Sequence, residues 1–510
     1  MTATSAPARP APVLRAHVTP PLSFARMLGI EVRRSPMPLI LPLVAVLFWF
    51  DSYRPSTSQA PLYPLVTFWN MGQGHTIIDF GPFVAGMAAW IGSREGRRGT
   101  ADLVAATACP RWVAQLAAWA AAAIWAVAAY LVFVGVMFAV YAARGVQGEP
   151  PWWWVAVGAT AVAAFSAGGF TVGVLVPNRF AAPLAAFAGF LVLIMSSQTG
   201  FKHTSGWALV LPTNSNGNFQ LDSGIFYPYL PDLPIARIVF LAGLAIAALG
   251  LAGLPAAAVE RRIRIVAAVV TAAGLAVAGT GAGLASTAGL GPHGMVISAL
   301  HDAASDRPIV YTPVCGGSAF RVCLNPAYRG YLADVIAALT PVAGEVAGLP
   351  GAPVRAVQAG AVYQAGEGGS GQAITITGRP AVLSVTIGGY GFLPGPTGFS
   401  SQTTTRKTFD QSMWVLFCNA FTGAGNNVGT PVQQAVTAVL LAAAGVPFAQ
   451  QPGLLAQVAA GPPPGPSAAK DPVYTAARRF AALPASVRHA WLTEHLAAIR
   501  AGRLTLEQLP

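Results

Sequence analysis

Apolar residues gather in long unbroken runs through about the first 290 positions and break into short runs afterwards. About seven of the early runs approach the roughly 20 residues that a helix needs to cross a hydrocarbon core. They are Pro36–Phe50, Thr76–Ile91, Val113–Ala139, Trp153–Val176, Ala181–Ser196, Ile235–Ala258 and Ile265–Ser286. The first two and the fifth are short, so flanking interfacial residues would complete them. The pattern predicts a polytopic α-helical membrane protein.

After these runs the pattern changes. Short β-rich stretches appear at Pro308–Tyr311, Phe320–Leu324, Val354–Gln358, Ala373–Ile376 and Ala381–Ile387, separated by Gly and Pro. Helical spacing appears at Tyr331–Thr340, which Pro341 is expected to end, and at Val432–Ala444. The segment 461–472 reads as a linker. Two short amphipathic helices are expected at Val473–Leu483 and Ser486–Ala501, parted by Leu483-Pro484. The predicted organisation has four parts: a cytoplasmic N-terminus at 1–35, a transmembrane region at 36–287, an α+β extracytoplasmic domain at 288–460, and a linker with C-terminal helices at 461–510.

Composition sharpens this picture. Hydrophobic residues make up 54% of the 510 and charged residues only 9%, against about 25% charged in a soluble domain. The formal charge is +12, but the arginines flank the apolar runs, so membrane topology explains them better than nucleic acid does. Basic residues collect in alternate loops: Arg26, Arg33 and Arg34; Arg94, Arg97, Arg98 and Arg111; Arg179; Arg261, Arg262 and Arg264. Cytoplasmic loops carry this excess. The expected topology has the N-terminus inside and everything after about residue 287 outside a plasma membrane. No cleavable signal is visible before Pro36, so the first run is read as an uncleaved anchor.

Of the four cysteines, Cys315 and Cys323 lie eight apart around Gly316 and Gly317, a spacing that suits a disulfide on the oxidising side. Cys418 lies in the apolar run Met413–Phe421 and reads as a buried thiol. Asp79, near His75, is the clearest acidic residue within a run; both an interfacial structural role and a contact with substrate or ion fit it.

The loop Ser93–Trp112 is the most informative segment. It holds Arg94, Glu95, Arg97 and Arg98, then Gly99-Thr100, Leu103, and Pro110-Arg111. Thr100 can cap a helix whose first turn contains Asp102. This order resembles the cytoplasmic loop of ABC type-two export permeases, where such a helix docks on an ATP-binding subunit. The apolar residues Phe24, Met27, Leu28, Ile30 and Val32 within Pro20–Pro36 suit an interfacial amphipathic helix, and the long outer loop Gln198–Leu233 fits the same family. The segment from Cys315 to Tyr328 faintly resembles actinobacterial membrane proteins that join a permease-like half to an outer domain.

The resemblance implies a transport subunit with no cofactor of its own. ATP and magnesium would sit on a partner ATPase, and a second permease copy or a related permease would complete the pathway. The lysines follow Phe201, Arg406 and Ala469, so no phosphate-binding loop exists here. No H-E-x-x-H or G-x-S-x-G occurs either. Alternative readings are a membrane-anchored extracytoplasmic binding or sensing protein, and a degenerate membrane peptidase.

Overall fold

The computed structural model describes residues 24–50, 66–99, 111–143, 148–198, 209–212, 224–254, 261–291, 293–360, 374–386, 406–424, 429–451 and 471–510. Each of the apolar runs is largely helical over its described residues. A short amphipathic helix α1 (Phe24–Arg34) precedes a 3-10 turn and α2 (Leu41–Phe48). Then come α3 (Val66–Gly92), α4 (Arg94–Arg98), α5 (Arg111–Ala143), α6 (Trp152–Leu175), α7 (Ala181–Gln198), α8 (Asp232–Ala252) and α9 (Arg261–Ser286). Four of these, α5, α6, α8 and α9, are long and apolar enough to cross a membrane. They point to a membrane location.

Helix α6 stands at the centre, touching α3, α5, α7 and α8. The helices meet through small residues. A Cβ on Gly169 or Gly173 of α6 would run into the Ala85 or Ala89 carbonyl of α3. Likewise α8 and α9 interlock, with Gly243 against Ala278 and Gly274 against Ala247. Backbones can approach this closely only where side chains are absent. Larger apolar residues fall on both sides: Phe80, Tyr130, Met137 and Leu193 are buried between the helices, whereas Leu184, Phe187 and Met195 on α7, and Ile265, Val269 and Leu275 on α9, are exposed.

Beyond α9 a two-stranded hairpin, β1 (Gly289–Gly291) and β2 (Gly294–Val296), leads into a mixed sheet. Its strands are β3 (Val314–Gly316), β4 (Arg321–Leu324), β5 (Arg355–Gln358), β6 (Thr375–Thr377) and β7 (Val382–Val385), in the order β3-β4-β5-β7-β6. β4, β5 and β7 are parallel, and the outer two strands are antiparallel to their neighbours. Helix α10 (Leu332–Val346) makes the crossover from β4 to β5. Val322, Ala356 and Leu383 lie side by side in register and are buried. Helices α11 (Arg406–Thr422), α12 (Pro431–Ala443), α13 (Pro472–Ala481) and α14 (Ala485–Arg500) complete this unit around Phe417, Phe421 and Phe480.

Two expectations need correction. Pro341 does not end α10, which continues to Val346. The later turns bury Val342 and Val346 completely, and that packing outweighs the missing N–H. Pro308–Tyr311 is not a strand; the strand before the disulfide turn is Val314–Gly316. There Cys315 and Cys323 are register partners across the β3–β4 hairpin and are bonded to each other. Gly317 turns that hairpin at a φ of 88°, a region closed to most side chains.

Candidate functional site

The basic loop and the sheet-bearing unit occupy opposite ends of the bundle. At the loop end, Gly96 packs on Pro177 in the α6–α7 connection, and Trp112 Nε1 donates to Leu249 O near the end of α8. At the other end, the Ile309 amide donates to Phe226 O at 2.8 Å, Phe226 meets Tyr311 edge-on, and Tyr227 stacks on His293 at 3.5 Å. The alternation of the helices thus separates the two features by the full length of the bundle.

Within the loop, α4 forms one short turn of helix ended by Gly99, whose φ of 61° is left-handed. Its charges are organised, and each ties down a different element. Glu95 pairs with Arg111 at 2.8 Å, pinning the start of α5 to α4. Arg94 pairs with Glu31 of α1 at 3.1 Å. Arg97 lies over the Trp90 ring at 3.4 Å, donates to Ser93 Oγ at 3.0 Å and to the Trp90 carbonyl at 2.8 Å. Burial, and then the charge of Arg98, hold the Arg97 guanidinium below its ordinary value. Arg98 and Gly99 are exposed. Trp125 Nε1 of α5 donates to Val32 O, fastening α1 along α5. Thr100, Leu103 and Pro110 lie outside the described residues, as does the helix expected after Thr100.

Asp79 falls within α3, but its side chain is outside the described positions. The charged groups that sequence reasoning missed are Asp232 and Arg237. Asp232 opens α8 and Arg237 lies inside it, at 0% and 1% exposure. Arg237 donates to Leu209 O at 2.6 Å and lies over Trp154 at 4.9 Å. The signal was present, because Arg237 stands inside the sixth apolar run, where an ionisable residue marks a site to inspect. Cys418 is a free, fully buried thiol, and burial pushes its pKa up, away from thiolate chemistry. Among the described residues no group of three or more His, Cys, Asp or Glu side chains is arranged to hold a metal.

Fold and site together define a helical bundle whose described residues include helices long and apolar enough to cross a membrane, joined at one end to a disulfide-bonded mixed-sheet unit. No family model, curated protein or solved structure matches the chain.

Proposed function

We propose that the chain is the transmembrane permease subunit of an ATP-driven exporter of the ABC type-two kind. A separate ATPase would dock on the Arg94–Arg111 loop. The observation that carries this reading is the pair of ion bridges at that loop. Glu95–Arg111 joins α4, which directly follows α3, to α5, and Arg94–Glu31 joins α4 to α1. A partner pressing on this loop would therefore move three helices together. In this reading all seven runs cross the plasma membrane, the N-terminus is cytoplasmic, and the sheet-bearing unit stands outside, where the Cys315–Cys323 bond is chemically at home. Two copies, or this chain with a related permease, would frame the path.

The test is copurification. The tagged chain, extracted mildly from its native membranes, is expected to bring down an ATP-hydrolysing subunit. Reversing the charges of Glu95, Arg97 and Arg98 together should reduce the recovered ATPase at least about tenfold, as expected when several desolvated charges each worth 1–3 kcal/mol are lost. Absence of ATPase from the unaltered chain, or equal recovery with the reversed loop, sinks the proposal.

A second reading, a membrane-anchored binding protein, is favoured by one feature of the outer unit. A cleft of about 500 Å³ lies between α10 and the strand ends, lined by Phe320, Thr340, Ala343, Leu349 and Val354. Its lining mixes polar and apolar surface, which suits a small amphipathic ligand.

A further inference from the structure

Three ionisable side chains meet where the sheet-bearing unit joins the bundle. The Asp232 side chain, at the first turn of α8, has no exposure. His301 Nε2 is hydrogen-bonded to Asp306 Oδ2 at 3.0 Å, and Nδ1 comes to ion-pair distance, 3.3 Å, of Asp232 Oδ2 without the alignment of a hydrogen bond. The Ile297 amide donates to that same Asp232 oxygen at 2.9 Å, while Oδ1 is buried without a hydrogen-bond partner among the described residues. His301 is 16% exposed and Asp306 44%. The row thus runs from solvent to a sealed carboxylate.

This arrangement selects a protonation state by geometry alone. A neutral imidazole has one N–H and one lone pair, so it can satisfy one carboxylate and must turn a lone pair toward the other. Only the imidazolium meets both favourably.

We propose that Asp232, His301 and Asp306 form a proton-binding site that fastens the segment Gly294–Asp306, and with it the sheet-bearing unit, to the top of α8. When His301 loses its proton, Asp232 keeps only the Ile297 amide and the positive end of α8. A buried carboxylate stripped of its counter-charge is strongly unfavourable, so the segment lifts and water reaches it.

The sign follows from the same contacts. The hydrogen bond to Asp306 raises the His301 pKa; burial opposes it, and the charges of Asp232 and Asp306 add to the rise. A raised histidine stabilises the docked state fully below the ordinary value of about 6.5, and that stabilisation is lost as pH climbs through the raised value. Other charged groups near the junction are engaged elsewhere or lie apart from this row. His293, stacked on Tyr227, is lowered by burial and only partly restored by Asp306, so it is neutral where His301 titrates. Asp302 is engaged in capping the Ala304 amide. Arg237 is held by Leu209 O, Glu149 lies beside Tyr229, and Arg307 follows Asp306 in the chain. The proposal does not depend on the chain docking an ATPase.

The test is hydrogen exchange of the full chain in lipid nanodiscs between pH 5.5 and 8.5, corrected for the intrinsic pH dependence of exchange. Peptides covering 294–311 should lose up to about tenfold in protection per unit by which the His301 pKa is raised, with a midpoint above 6.5. Asp306→Asn, at a partly exposed position, should move that midpoint to lower pH. His301→Gln should give a flat profile. Peptides from α12 report whether each variant remains folded. A pH-independent 294–311 segment in the unaltered chain, an unmoved midpoint in Asp306→Asn, or an unaltered profile in folded His301→Gln overturns the proposal.

Discussion

The bundle and the sheet-bearing unit both bury large side chains, Phe80, Tyr130 and Met137 in the one and Phe417, Phe421 and Phe480 in the other, but they differ in what they turn outward. In the bundle, glycine and alanine bring backbones into contact while Leu184, Phe187 and Val269 face outward. In the sheet-bearing unit, Phe417, Phe421, Phe480, Val322 and Leu383 are all buried. The difference follows from the surroundings. In water, burying a large apolar side chain is worth about 1.5–3 kcal/mol. Against lipid tails that gain vanishes, and close backbone packing takes its place. One chain therefore carries two surface patterns, and they switch near Gly289, where α9 gives way to the first hairpin.

The sharpest way to break this comparison is to enlarge a bundle glycine. Gly173→Leu would drive a side chain into the Ala89 carbonyl, and backbone cannot yield as a side-chain tip does. The cost should exceed the usual 1–3 kcal/mol or so of overpacking, and monodisperse protein should disappear on size-exclusion chromatography. A paired truncation comes next. Phe417→Ala in the sheet-bearing unit should cost about 3–5 kcal/mol, whereas Phe187→Ala on the outward face of α7 should stay within about 0.5 kcal/mol. Urea unfolding of the full chain, followed by tryptophan emission, separates them. Equal effects would mean that Phe187 on the outward face of α7 is packed as tightly as a core side chain. The smallest effect is expected from Glu31→Gln. Its pair with Arg94 is partly exposed, so stability should fall by about 0–1 kcal/mol, with the loss shrinking in high salt.

Much of the architecture was legible because membrane-type runs need only composition and length to be seen. The starts of helices were less so. Helix α3 begins at Val66, well before the apolar run, because Asn70, Gln73 and His75 interrupt the hydrophobic signal without interrupting the backbone hydrogen bonds. Helix α11 was read only through its apolar end, Met413–Phe421, since its opening Arg406–Asp410 is polar. Strand β3 is obscured by the glycines that let the hairpin turn. The Cys315–Cys323 pairing and the Thr430 start of α12, where Thr430 and Gln433 cap each other, follow local chemistry and were readable. The Asp232–His301–Asp306 row was not, because its members come from two segments that only the docking of the two units brings together.

Helix α5 has a mechanical consequence of its own. Its 33 residues span about 50 Å at 1.5 Å each, against a hydrocarbon thickness of about 30 Å. Fitting it inside would demand a tilt beyond 50° or so, outside the 0–40° that membrane helices adopt. A crossing α5 must therefore stand proud of the bilayer as a stalk. Arg111 is its first residue, clamped by Glu95, and no proline interrupts it through Ala143. A sideways push of a few ångströms at that tip would act with the leverage of a rigid rod, swinging the far end where Tyr141 is packed in the opposite sense.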